Sequence, residues 1–304
     1  MGAKFLIGND KVMKSWWRKI VEKLMIKILR PKQWIKNLLI LAVPLSAGKI
    51  IQLDILLNSV LCIVVFCAIS SSVYILNDIK DYDFDRKHPL KSKRPIANGK
   101  IKKNQALYLF GILASFGFSL SLIFSRDLFY ITSLYFLLQL SYIYKFKNIF
   151  LIDIFIVASG FVIRAITGGY VSNIFISQWF LSVIFSLALL VISGKRYSEL
   201  INPLNLGTRV VLKDYSPEML KIIWMLSLNC SVIFYTLWAI ELNNEVKDYL
   251  ALVSVLPLIA ILLIFTRLLE KGNLEAPEEI ILRNKGILYS GFMWLAVFLF
   301  RIYG

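Results

Sequence analysis

Asn77 to Pro95 reads NDIKDYDFDRKHPLKSKRP, and the rest of the chain is organised around it. Asp78, Asp81, Asp83 and Asp85 fall within eight residues, and Arg86, Lys87, Lys91, Lys93 and Arg94 follow at once. An uncharged apolar run, 55–76, lies upstream, and another, 105–124, downstream. Carboxylates massed at the mouth of such a run repel one another unless a cation sits among them. If the upstream helix continues into the motif, Asp78, Asp81 and Asp85 stand at i, i+3 and i+7, within an arc of about 60°, with Asn77 beside them. Asp83 falls about 140° from Asp78, on the other side. Mg²⁺ prefers oxygen ligands and shares them with substrate phosphates. Asp78, Asp81 and Asp85 are therefore candidate catalytic and metal-binding residues for Mg²⁺ with a diphosphate. The plainer alternative is a solvated acidic loop balanced by the basic run.

The composition says where this motif sits. The chain has 304 residues, 58% of them hydrophobic, and a mean hydropathy of +0.69. The apolar excess is gathered into long uncharged runs, the mark of a polytopic membrane protein. Spans are predicted near 34–50, 55–76, 105–124, 128–144, 149–171, 175–194, 219–241, 246–269 and 286–303, nine in all. With the N-terminus in the cytoplasm, 30 of the 35 Lys and Arg residues fall on the inside, four outside, and one, Arg164, within a span. That split supports an all-α integral membrane bundle of nine helices with a cytoplasmic N-terminus and an outward C-terminus. It also accounts for the net charge of +16 without nucleic acid. The two longest inside loops follow the second and sixth spans, a spacing that hints at two four-helix halves with a ninth helix appended.

Residues 11–30, KVMKSWWRKIVEKLMIKILR, alternate apolar and basic positions at helical period. This predicts an amphipathic helix lying in the membrane interface, so the chain divides into an interfacial segment (1–33) and a transmembrane domain (34–304). A contact between copies in a homo-oligomer is a lesser role for that helix. The first 30 residues lack the apolar core of a secretory signal. Cys62, Cys67 and Cys230 lie in apolar runs without ligand spacing and read as packing residues. The single histidine, His88, cannot alone make a histidine metal site. Asp153 and Arg164, 11 residues apart, share a helix face to within about 20°. Charged residues within spans usually face the bundle or a watery cavity, so Arg164 joins the candidate substrate-binding residues and Asp153 is a site candidate beside it.

Asn77-Asp78-x-x-Asp81-x-x-x-Asp85, followed by Arg94-Pro95, resembles the NDxxDxxxD motif of the UbiA superfamily of membrane prenyltransferases. The resemblance covers nearly the whole chain. It implies a nine-helix fold with a cytoplasmic catalytic face, and it implies that Asn77 and the three aspartates bind Mg²⁺ and the diphosphate of a donor. Members of that superfamily carry a second aspartate motif in the loop after the sixth helix. Here the corresponding place reads SGKRYSEL, with Lys195, Arg196, Tyr197 and Glu199. One carboxylate remains and two cations have appeared, which suits a donor with more phosphate, because Lys and Arg hold phosphate oxygens directly. A helix end with a Lys195–Glu199 pair at i, i+4 is the plainer reading.

RPKQWIKN (30–37), KRYSEL and APEE (276–279) together resemble the decaprenyl-phosphate phosphoribosyltransferase branch of the superfamily. The resemblance implies a multi-pass enzyme of the bacterial inner membrane that moves 5-phosphoribose from phosphoribosyl diphosphate to a polyprenyl phosphate, in cell wall biosynthesis. Candidate substrate-binding residues are then Asn77, Lys32, Lys36, Arg94, Arg164, Lys195, Arg196, Tyr197 and Glu199. The alternatives are a prenyltransferase with a polyprenyl diphosphate donor and an aromatic or other acceptor, and a transporter or lipid-binding scaffold. Sparse intramembrane charge argues against the last.

Overall fold

In the computed structural model the described residues are 26–202, 209–246, 249–272, 280 and 283–303. Most of the predicted interfacial helix and the APEE stretch lie outside them. A 3₁₀ helix, Pro31–Leu41, and a five-residue helix, Ala42–Ser46, come first. Then follow α1 (Leu53–Lys80), α2 (Lys103–Phe124), α3 (Arg126–Tyr144), α4 (Ile152–Val171), α5 (Gln178–Ile201), α6 (Pro217–Val246), α7 (Val255–Glu270, preceded by a turn of helix at Leu250–Val253) and α8 (Lys285–Tyr303). No strand occurs among the described residues.

Among the described residues seven helices are long and apolar enough to cross a membrane. They include α1, α2, α4, α5 and α8. The predicted span at 128–144 is present as α3, but Asp127, Gln139 and four tyrosines lower its hydropathy. The predicted span at 34–50 is not one helix. Its 3₁₀ part repeats every three residues, which brings Trp34, Asn37 and Ile40 onto one edge. Trp34 Nε1 donates to Ser71 Oγ at 3.0 Å, and Asn37 Oδ1 accepts from Arg164 Nε at 2.8 Å. Ile40 is fully buried. A Cβ on Gly168 of α4 would collide with the Ile40 carbonyl, so only glycine lets the two backbones approach this closely.

The apolar core falls into two main sets. Cys62, Phe66, Ile69, Leu128, Tyr135 and Ile163 join α1, α3 and α4. Ile154, Ala158, Phe180, Trp224, Trp238 and Phe265 join α4 to α5, α6 and α7. Helix α4 serves both, as a divider between an earlier and a later half. Buried Cys62 is the packing residue its setting predicts. Outside the core, Leu57, Ile112, Ile123, Phe292 and Met293 are exposed. In water such surface would drive association; against hydrocarbon it is satisfied.

Candidate active site

The acidic motif forms where α1 ends. The helix stops at Lys80 and Asp81 adopts φ −88°, ψ 9° before a short helix, Tyr82–Lys87. Yet Asp81 N–H still donates to the Asn77 carbonyl and Asp85 N–H to the Asp81 carbonyl, each at 2.8 Å. The chain thus turns without losing helical pitch, and Asp78, Asp81 and Asp85 stay on one side. Asp83 is exposed on the other.

The three carboxylates do not share one partner. Asp78 and Asp85 are 3% and 4% exposed. Arg94 Nη1 joins them, at 2.9 Å to Asp78 Oδ1 and 2.6 Å to Asp85 Oδ2. Arg30 also pairs with Asp78. Asp81 is more open; Lys147 pairs with it, and Asn77 Nδ2 donates to its Oδ2 at 3.0 Å. Burial pushes the Asp85 carboxyl above the usual aspartate value, against the opposing pull of Arg94. His88 is buried and structural: its Nδ1 accepts from the backbone of Leu90 at 3.1 Å and Lys91 at 3.3 Å, fixing the turn that carries Arg94.

A polar cleft of about 190 Å³ opens beside the motif. Asn77, Asp81 and Asp85 line it. Lys80, Lys91, Lys147 and Arg209 also line it, so the cations outnumber the carboxylates. Burial lowers the Lys91 ammonium below the usual lysine value, helped by Arg209 and Arg94 and opposed by Glu199 and Asp85.

The basic motif is not in a loop. SGKRYSEL lies in the last turns of α5, and Arg196 points inward at 3% exposure. Its Nε binds Asp153 Oδ2 at 2.7 Å and its Nη1 binds Glu199 Oε2 at 2.9 Å. Its Nη2 donates to Tyr142 Oη at 3.3 Å. Tyr215 Oη donates to Asp153 Oδ1 at 2.7 Å and accepts from Leu151 N–H at 2.9 Å. Burial and Asp153 push the Tyr215 phenol well up, so it stays a donor. Glu199 pairs with Arg196 and with Arg209 Nε, the latter at 3.6 Å.

The other predicted site residues are dispersed. The Tyr197 ring packs edge-on against Trp224 in the apolar core, centroids 4.9 Å apart. Lys32 is exposed, and Lys36 Nζ lies 5.9 Å from the centre of the Phe161 ring. Arg164 is 3% exposed; besides Asn37 it donates to the Gly160 carbonyl at 2.6 Å and Tyr135 Oη at 3.0 Å. Neither Arg164 nor Arg196 is among the described residues lining the cleft. Arg30, Lys91, Tyr142, Lys147 and Arg209 were not singled out by the sequence. Lys147 and Arg209 carried only the signal of positive charge on loops predicted to face inward.

A larger cavity, about 800 Å³, lies on the flank of α3 to α6. Leu138, Ile154, Phe155, Phe185 and Leu226 are in its wall, so it can take a hydrocarbon chain but no phosphate.

Residues 38–198 match the model of the UbiA prenyltransferase family. The decaprenyl-phosphate phosphoribosyltransferase of Corynebacterium glutamicum is 34% identical, over 92% of this chain and 86% of that protein. The enzyme of the same name from Mycolicibacterium smegmatis is 35% identical, over 92% of each chain. In fold, the chain is similar to a UbiA homolog from Archaeoglobus fulgidus bound to DMAPP and Mg²⁺, with a TM-score of 0.70 at 18% identity, covering 90% of this chain and 98% of that one. A transferase bundle, an acidic motif at the end of α1 and these likenesses agree: the chain belongs to the UbiA prenyltransferase family.

Proposed function

We propose that the protein is a Mg²⁺-dependent membrane phosphoribosyltransferase, moving 5-phosphoribose from phosphoribosyl diphosphate to a polyprenyl phosphate and releasing diphosphate. The observation that carries this reading is the cleft, whose lining carboxylates are outnumbered by the cations lining it with them. The similar enzymes of Corynebacterium and Mycolicibacterium bear the name of that activity. The nine crossings predicted from the sequence, the cytoplasmic N-terminus and the bacterial inner membrane belong to the same proposal, which puts the cleft on the cytoplasmic face.

Of the three aspartates read as metal ligands, Asp81 and Asp85, with Asn77, offer the hard oxygen donors that Mg²⁺ takes; among the described residues no three acidic side chains are gathered as a metal site. Asp78, held by Arg94 and Arg30, stands behind them and fixes their setting. Mg²⁺ held there would supply positive charge to offset that on the departing diphosphate. In the transfer, the bond from the anomeric carbon to diphosphate breaks and a bond from that carbon to an acceptor phosphate oxygen forms. The acceptor is already anionic, so no strong base is required, in keeping with a lone histidine that is occupied in a turn. Lys80 and Lys147 face the anions and hold them in line, a positioning role. The acceptor chain lies in the flank cavity. Leu134 and Leu138, one turn apart on α3, are in its wall, and Tyr142 lies one turn further along that helix.

The test is a membrane assay with ribose-labelled phosphoribosyl diphosphate and polyprenyl phosphate. Label enters the lipid fraction only when both substrates and Mg²⁺ are present. Labelling from a prenyl diphosphate donor instead, with none from phosphoribosyl diphosphate, overturns the reading.

A further inference from the structure

The donor proposed above carries two separated anionic groups, the diphosphate and the ribose 5-phosphate, and the acidic motif accounts for only one. The sequence offers Arg196 for the second. The geometry does not. Three of the Arg196 nitrogens are taken, by Asp153 Oδ2 at 2.7 Å, Glu199 Oε2 at 2.9 Å and Tyr142 Oη at 3.3 Å, and its side chain is 4% exposed. The guanidinium that reaches the cleft is Arg209. Its side chain is 25% exposed. It is aimed by the same two groups that Arg196 fixes: its Nη1 donates to Tyr142 Oη at 2.9 Å, and its Nε lies 3.6 Å from Glu199 Oε2.

We propose that Arg209 is the specificity-determining residue that binds the donor's 5-phosphate, and that Arg196, Glu199 and Tyr142 are positioning residues that hold its fork toward the cleft. The assignment rests on the donor reading above. A guanidinium anchored through Nε and one N–H of Nη1 keeps Nη2 and the other N–H of Nη1 as an end-on fork, the geometry that suits two phosphate oxygens. Arg209 lines the same cleft as Asn77, Asp81 and Asp85, so one donor molecule can meet the diphosphate site and the 5-phosphate site together. Lys91 also lines the cleft and adds charge without a fork.

Fragments of the donor separate the two sites. Purified wild-type protein is loaded with labelled phosphoribosyl diphosphate and Mg²⁺, and the label is displaced by ribose 5-phosphate or by pyrophosphate. For Arg209→Gln, the ribose 5-phosphate concentration giving half displacement rises at least about tenfold, and that for pyrophosphate stays within about twofold. Arg209→Lys, which keeps the charge and loses the fork, lies between. Tyr142→Phe, which leaves the cleft charges intact, gives a selective weakening of about threefold. Equal weakening of both fragments, or none, in Arg209→Gln overturns the assignment while leaving the donor reading in place. Failure of the wild-type protein to bind labelled phosphoribosyl diphosphate overturns the donor reading, and this assignment with it.

Discussion

Two ionic corners stand at the same end of the bundle and use the same residue types in opposite ways. At the end of α1, the carboxylates of Asp78, Asp81 and Asp85 belong to one short stretch, and their cations, Arg30, Arg94 and Lys147, come from three other places in the chain. At the end of α5, one cation, Arg196, is at the centre, and Asp153, Glu199, Tyr142 and Tyr215 close around it. The first corner keeps oxygen donors on a cleft. The second is sealed, and of its described residues only Arg209 lines the same cleft. The lesson is that a buried ion pair of this kind organises a neighbour instead of meeting a ligand itself. Its removal costs most when one partner is left behind in low dielectric.

The comparison breaks first at Asp81. Asp81→Asn should lower turnover to about a thousandth or less, a loss of the size seen when a preorganised transition-state group is removed, while membrane insertion and thermal unfolding are nearly unchanged. Transfer rates and a melting curve on the same preparation check both halves. Next comes Arg196→Gln, which strands Asp153 and Glu199. It should cost about 3 kcal/mol or more of stability, read as a lower thermal midpoint in detergent, with activity falling alongside. Arg94→Gln sharpens the contrast. It also strands buried carboxylates, but on the corner that faces the cleft, so Mg²⁺ should raise its melting midpoint more than it raises that of the wild type. For Arg196→Gln the same addition should raise the midpoint no more than it does for the wild type.

Smaller effects follow from pH. The Lys91 ammonium is lowered by burial, so it loses its proton below the ordinary lysine value of about 10.4. The KM for donor should therefore rise on the alkaline side earlier than an ordinary lysine allows. Arg in its place should remove that rise. On the acid side, Asp85 keeps its proton at a higher pH than an ordinary aspartate, because burial disfavours its charge. Protons then compete with metal there, and Mg²⁺ affinity should fall on acidification above the usual aspartate range of about 3.9. The smallest effect is that of Asp83→Asn. This carboxylate is exposed on the opposite side, and its loss should change turnover less than about twofold and stability by less than about 0.5 kcal/mol.

Much of the acidic corner was legible in the sequence, because a helix face needs only spacing. The i, i+3, i+7 positions of Asp78, Asp81 and Asp85, and the exclusion of Asp83, survive the turn at Asp81 because the i to i+4 hydrogen bonds continue through it. The long apolar helices were legible for the same reason. The basic corner was not. Whether Lys195 or Arg196 faces a cleft depends on what packs against α5: the distant partners of Arg196 come from α3 and α4, and Arg209, from the segment before α6, joins the same Tyr142. Such pairings span 43 to 67 residues, which no local pattern encodes. Arg209 and Lys147 were hidden in the positive charge that topology alone demands. The 3₁₀ stretch was misread because its period of three, linking Trp34, Asn37 and Ile40, is blurred in an apolar segment and is decided by Ser71, Arg164 and Gly168.

The central claim is that the acidic corner holds a metal-bound diphosphate and the sealed corner does not. It is tested most directly by titrating Mg²⁺ into purified protein in the presence of labelled phosphoribosyl diphosphate and measuring bound label. The account predicts binding that rises with Mg²⁺ in the wild type, in Asp83→Asn alike, and that is lost at all Mg²⁺ concentrations in Asp81→Asn. Binding that ignores Mg²⁺, or that survives Asp81→Asn undiminished, contradicts it.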